Sequence, residues 1–259
     1  MNSCNLGVLF TIINFSIFIS FSIAAPALQR IRIRDNTIPP PPTDPPQTPG
    51  DGSGPWNVQK PGVGDYALFA KYRGVATAAD IRGLHHASAH MTHYLDDTGK
   101  DLIVSPEDIM KDLPNFKAAV RALAQESAKS AYSKAVAASG SATFSSPWNL
   151  YGYAGGNFND DWFYAMGAFS YSVSGVVTIS QGKASIKYVI HVFDRYNWDK
   201  GKCTQIGPIT ICDEELGRLH TVGLAREYVI RGSSAIQKVD NYNPNVNLPP
   251  PKIDNNGRR

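Results

Sequence analysis

Residues 38–55 read IPPPPTDPPQTPGDGSGP, and this stretch decides how the chain divides. Proline lacks the amide hydrogen that helices and sheets need and fixes φ near −65°, so eight prolines among these residues exclude both. An extended polyproline conformation is what remains, and the reading is a spacer over 26–63 that stands apart from the fold. Everything that packs must then come after it. Residues 64–240 are expected to form one domain of the usual size, and 241–259, with Pro249-Pro250-Pro251 and a polar end, a disordered tail.

Ahead of the spacer, residues 5–25, NLGVLFTIINFSIFISFSIAA, contain no charged side chain and end in small residues before Pro26. That is the pattern of a cleaved secretory signal, assigned to 1–25. An uncleaved anchor is the alternative, since about 18–20 apolar residues can span a bilayer. Secretion places the domain outside the cell. Removal of the leader takes Cys4 with it and leaves Cys203 and Cys212, an even pair for which a disulfide is expected in an oxidising compartment. The bond would close a hairpin-like loop with a Gly207-Pro208 turn.

The domain changes texture midway. Residues 77–139 read as helical: TAADIRGLHHASAHMTHYL repeats Leu84, Ala87, Met91 and Leu95 at helical steps. Ser105-Pro106-Glu107-Asp108 has the N-cap, N1 proline and acidic first turn of a new helix. An alanine-rich helix ends before Gly140. From 142 to 240 aromatic, β-branched and glycine residues take over. AMGAFSYSVSGVVTIS and ASIKYVIHVFDRYNW read as strands joined by a turn at Gln181-Gly182-Lys183, followed by a short helix in DEELGRLHTVGLAREY and a last strand YVIRGSSAIQKV. Helices first and strands after predict an α+β fold, with N-terminal helices followed by a mostly antiparallel sheet or open half-barrel.

The formal net charge of +3 and pI near 8.7 come without Lys/Arg runs, which argues against a nucleic-acid partner while leaving room for attraction to an anionic membrane surface. A monomer is expected. The densest cluster of reactive side chains is Asp194-Arg195-Tyr196-Asn197-Trp198-Asp199-Lys200-Gly201-Lys202, where an apolar strand meets a loop. Its carboxylates and amide have the chemistry to hold a cation such as Mg²⁺, position water or accept a proton; an ordinary polar strand end is the plain alternative. A second cluster, on the predicted first helix, puts His86 and His90 four apart with His93 three further on, a spacing compatible with a three-imidazole metal site and a metallohydrolase. Packing against the sheet is the simpler reading of these histidines. The aromatic run Trp148 to Phe163, with Tyr151, Tyr153, Phe158 and Trp162, reads as packing more than as a lipid- or glycan-stacking surface.

Asp194-x-Tyr196-Asn197, at the end of a strand hairpin whose first strand is Gly167-Ala168-Phe169-Ser170-Tyr171-Ser172-Val173-Ser174-Gly175-Val176-Val177-Thr178-Ile179, resembles the catalytic domain of the colicin M family, bacteriocins that degrade lipid II. Glu214-Glu215-Leu216-Gly217-Arg218-Leu219 and Arg226-Glu227-Tyr228-Val229-Ile230 look like the family's closing helix and strand. The likeness is concentrated between Ala165 and Ile230. The family signature is Asp-x-Tyr-Asp followed after five residues by His-Arg; here Asn197 replaces the second aspartate, and Cys203-Thr204 occupy the place of His-Arg. The resemblance implies hydrolysis of lipid II between polyprenol and pyrophosphate, which stops peptidoglycan synthesis, with a divalent cation, Mg²⁺ by expectation. Carried onto this chain, Asp194, Tyr196 and Asn197 form the catalytic set. His220 is inferred to replace the missing histidine and Arg226 to accompany it, Arg195 and Lys202 meet the phosphates, and Asp194 with Asp199 hold the metal. A non-enzymatic secreted binding module is the remaining alternative.

Overall fold

The computed structural model describes residues 38–153, 159–206 and 209–253. The leader, the Gly207-Pro208 turn, residues 154–158 and the last six residues lie outside these. Residues 36–259 belong to one compact unit. It is α+β, with helices ahead of a mixed, mostly antiparallel seven-stranded sheet. No described helix is long and apolar enough to cross a membrane.

The helices are α1 (Val63–Ile81), α2 (His85–Leu95), α3 (Pro106–Asp112), α4 (Pro114–Ala137), α5 (Asp160–Met166) and α6 (Asp213–Thr221). Their boundaries follow local chemistry. Ser105 caps α3 by accepting the Asp108 amide. Helix α1 starts at Val63, earlier than the expected 77, because Gly62 donates its amide to the Asp65 carboxylate and so caps the first turn. The single helix expected from Thr77 is broken at Gly83, whose φ of +81° no other residue adopts without strain. Helix α5 arises inside the segment expected to be β-rich, started by Asn159, whose side chain accepts the Trp162 amide.

The sheet comprises β1 (Leu102–Ile103), β2 (Ser141–Ser145), β3 (Asn149–Tyr151), β4 (Phe169–Ser180), β5 (Lys183–Tyr196), then β8 (Tyr228–Ser233) and β9 (Gln237–Val239), while β6 (Cys203–Ile206) and β7 (Ile209–Cys212) form a separate hairpin. The order β1-β8-β5-β4-β2 puts the long β4–β5 hairpin at the centre; β3 also pairs with β4, and β9 with β5. Gln181 and Gly182 make the β4–β5 turn, both at positive φ as a two-residue hairpin of this hand requires. Cys203 and Cys212 are directly opposite in register and disulfide-bonded. The predicted last strand is interrupted at residues 234–236, where Ser234 turns its hydroxyl to the Ile190 amide.

One face of β4–β5 packs on the helices. Alternate residues Phe169, Tyr171, Val173 and Val177 of β4, with Ile186, Tyr188, Ile190 and Val192 of β5, are buried there, and Phe116 of α4 sets its ring edge-on to Phe169 and Tyr171. At about 25 cal/mol per Å² of apolar surface removed from water, this face dominates the stability of the domain.

The other face is covered by the segment expected to be a free spacer. Residues 38–62 run across it and around the end of β5, a departure with a clear physical cause. A polyproline backbone leaves its carbonyls unbonded, and the domain supplies donors to them. Ser174 Oγ donates to Pro39 O at 2.6 Å, Trp148 Nε1 to Thr43 O at 2.9 Å, and Arg195 Nη2 to Pro45 O at 2.6 Å. Arg231 grips Asp44 with two bonds. The described part of the expected tail is likewise docked: Tyr242 and Leu248 are buried, and the Leu248 amide bonds to Gln125.

Candidate functional site

The core-facing stripe of β5 is Ala184, Ile186, Tyr188, Ile190, Val192, Asp194 and Tyr196: a carboxyl occupies a place where the alternation calls for an apolar side chain. There it lines a cavity of about 260 Å³ enclosed by α1, α2, α5, the β6–β7 hairpin and the end of β5. Val75, Ala79, Met91, Phe163, Met166 and Ile211 make its walls largely apolar, and Asp213 at the start of α6 adds a second carboxyl.

Asp194 keeps some accessible surface because it lines this cavity. Protein nonetheless packs densely around its carboxyl, and burial pushes it well above the usual carboxylate range. A hydrogen bond from the Arg195 backbone amide pulls the other way; the Asp51 carboxylate raises it further, and the Arg195 guanidinium lowers it. Asp194 thus keeps its proton past the pH at which an exposed aspartic acid ionises. Asp213 is also raised, first by burial, with Lys202 opposing. Tyr196 is buried, stacked on Tyr228 at 4.9 Å between centroids and edge-on to Trp198 at 5.1 Å. It forms a rigid floor beside Asp194, and burial holds its phenol far above the ordinary tyrosine range.

The sequence-predicted residues fall into two groups. Asp194, Tyr196, Asn197 and Arg195 line the cavity. His220 and Arg226 do not; they lie in a polar rim beneath residues 51–57. His220 Nδ1 accepts the Glu227 amide at 3.0 Å, which puts the ring proton on Nε2, where it is donated to Gly54 O at 3.0 Å. Arg226 lies over the Trp56 ring at 4.4 Å. Asn197 Nδ2 donates to Asp51 Oδ1 at 2.6 Å. Asp199 accepts from Lys202 Nζ at 2.8 Å and from the Gly52 amide at 3.1 Å, and both contacts hold it below the usual carboxylate range. The two carboxylates expected to share a cation are therefore engaged separately, Asp194 as a raised acid in the cavity and Asp199 in an ion pair at the rim. Among the described residues no three His, Cys, Asp or Glu side chains are grouped to hold a metal.

The three histidines of α2 also part company. His86 stacks on Trp162 at 3.8 Å, buried His90 bonds through Nδ1 to Ala165 O at 2.9 Å, and His93 bonds through Nε2 to Lys100 O at 2.8 Å. Burial lowers His90 to about 4, as suits a neutral core imidazole. These are packing and capping roles.

Two site residues escaped the sequence reading. Asp213 reads as the acidic first turn of α6, and nothing in its neighbours announces the cavity. Glu227 is the hub of the rim, its Oε1 accepting the Ser53 amide at 2.9 Å, the Ser53 hydroxyl at 2.6 Å and the Trp198 amide at 3.1 Å. A signal for Asp194 as a core-face acid was present in the β5 alternation itself. No family model matches the chain, and no curated protein aligns with it significantly.

Proposed function

We propose that the domain is a secreted, extracellular antibacterial hydrolase that cleaves the polyprenyl–pyrophosphate linkage of lipid II at a membrane surface, acting as a monomer, as the likeness to the colicin M family implies. The observation that carries the reading is Asp194: a proton-retaining carboxyl at the wall of a largely apolar cavity that Asn197 also lines. That juxtaposition suits an amphiphile whose hydrocarbon begins where its phosphates end. Water adds to phosphorus, the bond from phosphorus to the prenol oxygen breaks, and the proton of Asp194 goes to the departing alkoxide. The proton lost by water returns Asp194 to its acid form. An alkoxide is a poor leaving group, so a poised acid supplies the largest gain at this step. Burial that raises a carboxyl is how such an acid is made. On this reading Asn197 belongs to the catalytic set, and Arg195 and Lys202 meet the phosphates, as the likeness implies.

A divalent cation remains part of the proposal only as a requirement to be measured; no step here runs through one. The test is incubation of the purified full chain with lipid II, with Mg²⁺ or with chelator, following polyprenol release. Release by the wild type and its loss in Asp194→Asn support the reading. Equal release by both proteins, or none by either, removes it.

A further inference from the structure

Much of the rim of the candidate site is occupied by the chain's own residues 44–57. Three donors that would face an anionic ligand meet an acceptor from this strap: Arg195 meets Pro45 O, Asn197 meets the Asp51 carboxylate, and His220 Nε2 meets Gly54 O, while Arg226 lies over the strap's Trp56 ring and Lys202 is held by Asp199. The acceptors of the rim meet strap donors in turn, Asp199 the Gly52 amide and Glu227 the amide and hydroxyl of Ser53. The domain is shaped for this occupant. A Cβ at Gly217 would sit 2.7 Å from Ser53 Oγ, so α6 has space for Ser53 only because 217 is glycine. A Cβ at Gly52, where φ is +83°, would lie 2.9 Å from Glu227 Oε2.

What the strap lacks is a buried apolar anchor. None of residues 38–62 is fully buried, and the Trp56 side chain is 36% exposed. Its hold is polar, partly screened by water, and concentrated on the rim. Segments with few buried apolar contacts open at low free-energy cost.

We infer that residues 44–57 are an intramolecular pseudoligand, which closes the rim in the full chain and must be displaced before an anionic ligand of the pyrophosphate class enters. This rests on the proposed hydrolase reading for its substrate and on the hydrogen-bond pattern alone for the closure. A rim closed about nine-tenths of the time would weaken apparent affinity about tenfold.

Two full-chain variants test it, with inorganic pyrophosphate as the binding probe in calorimetry and lipid II turnover measured separately. Gly52→Val drives a side chain into Glu227 and expels the strap. Hydrogen exchange at the amides of residues 52 and 53 reports the release, and pyrophosphate affinity should rise about tenfold. Ser53→Cys with Gly217→Cys does the reverse, since a Cβ at 217 would lie 3.3 Å from that of Ser53, close to disulfide reach. With the new bond confirmed by mass spectrometry, pyrophosphate binding should fall below wild type, and mild reductant should restore it against a wild-type control treated identically. A locked protein that binds pyrophosphate as wild type does overturns the inference, as does faster exchange in Gly52→Val without tighter binding. Tighter binding in Gly52→Val with no lipid II turnover leaves the strap inference standing and removes only the hydrolase reading.

Discussion

The two faces of β5 are filled by different means. On the helix side Ile186, Tyr188, Ile190 and Val192 are buried against a periodic apolar surface. On the strap side the positions between them hold Lys187, His191, Phe193 and Arg195, and the cover is a proline-rich segment held mainly by hydrogen bonds. Each face buries one ionisable group whose charge the surroundings oppose near neutral or acid pH. On the helix side it is Asp194, raised by burial; on the strap side it is His191, bonded to Ser174 and Ser233 at 2.9 Å each and lowered by burial to about 4. The difference is why the proposed function is built on Asp194. His191 is satisfied within the sheet, whereas Asp194 faces a cavity.

The largest expected contrast is in stability. Ile190→Ala empties a wholly buried site on the helix face and should cost about 3–4 kcal/mol in denaturant unfolding. A loss below about 1 kcal/mol would mean that the helix face does not carry the fold. Next comes activity. Asp194→Asn keeps the shape and removes the acid, so turnover should drop a hundredfold or more, about 2.7 kcal/mol of barrier. The melting temperature should hold or rise, because a buried carboxyl is replaced by a neutral amide.

Histidine protonation sharpens the comparison further. His90 on the helix side and His191 on the strap side are both lowered to about 4 from the ordinary 6.5. The unfolded chain therefore takes up protons first, and stability present above pH 6.5 is lost as pH falls toward 4. His191→Gln should flatten that acid limb by about 3 kcal/mol. An unchanged limb would show that burial on the strap face is incomplete. The smallest effect belongs to the clasp. Asp44→Ala removes the partner of Arg231, and both side chains are 38% exposed, so solvent screening limits the loss to about 1 kcal/mol or less.

How much of this was legible depended on the kind of signal. The α+β order, the α3 cap at Ser105, the end of α4 before Gly140, the hairpin turn at Gln181-Gly182 and the Cys203–Cys212 pair are written in local chemistry, which one short window contains. The docking of 38–62 is not. Its contacts join single carbonyls to side chains more than 100 residues away, such as Trp148 to Thr43, and a polyproline segment has no apolar period to reveal a buried side. Helix α5 was hidden by the aromatic side chains that made its segment look like strand. Of the site, Asp194 and Tyr196 were legible, but that His220 and Arg226 lie outside the cavity, against Gly54 and Trp56, is a matter of tertiary placement, and Glu227 owes its role to Ser53 and Trp198 amides that only the fold brings to it.

The protonation of Asp194 is measured directly by carbon NMR of its carboxyl across pH, with Asp194→Asn identifying the signal. The folded protein should keep this proton well above the ordinary aspartate value of 3.8, and its stability should fall with rising pH from there up to the shifted value, since the unfolded chain releases the proton first. A carboxyl that titrates near 3.8, with no loss of that pH dependence in Asp194→Asn, would contradict the acid at the cavity wall and the function built on it.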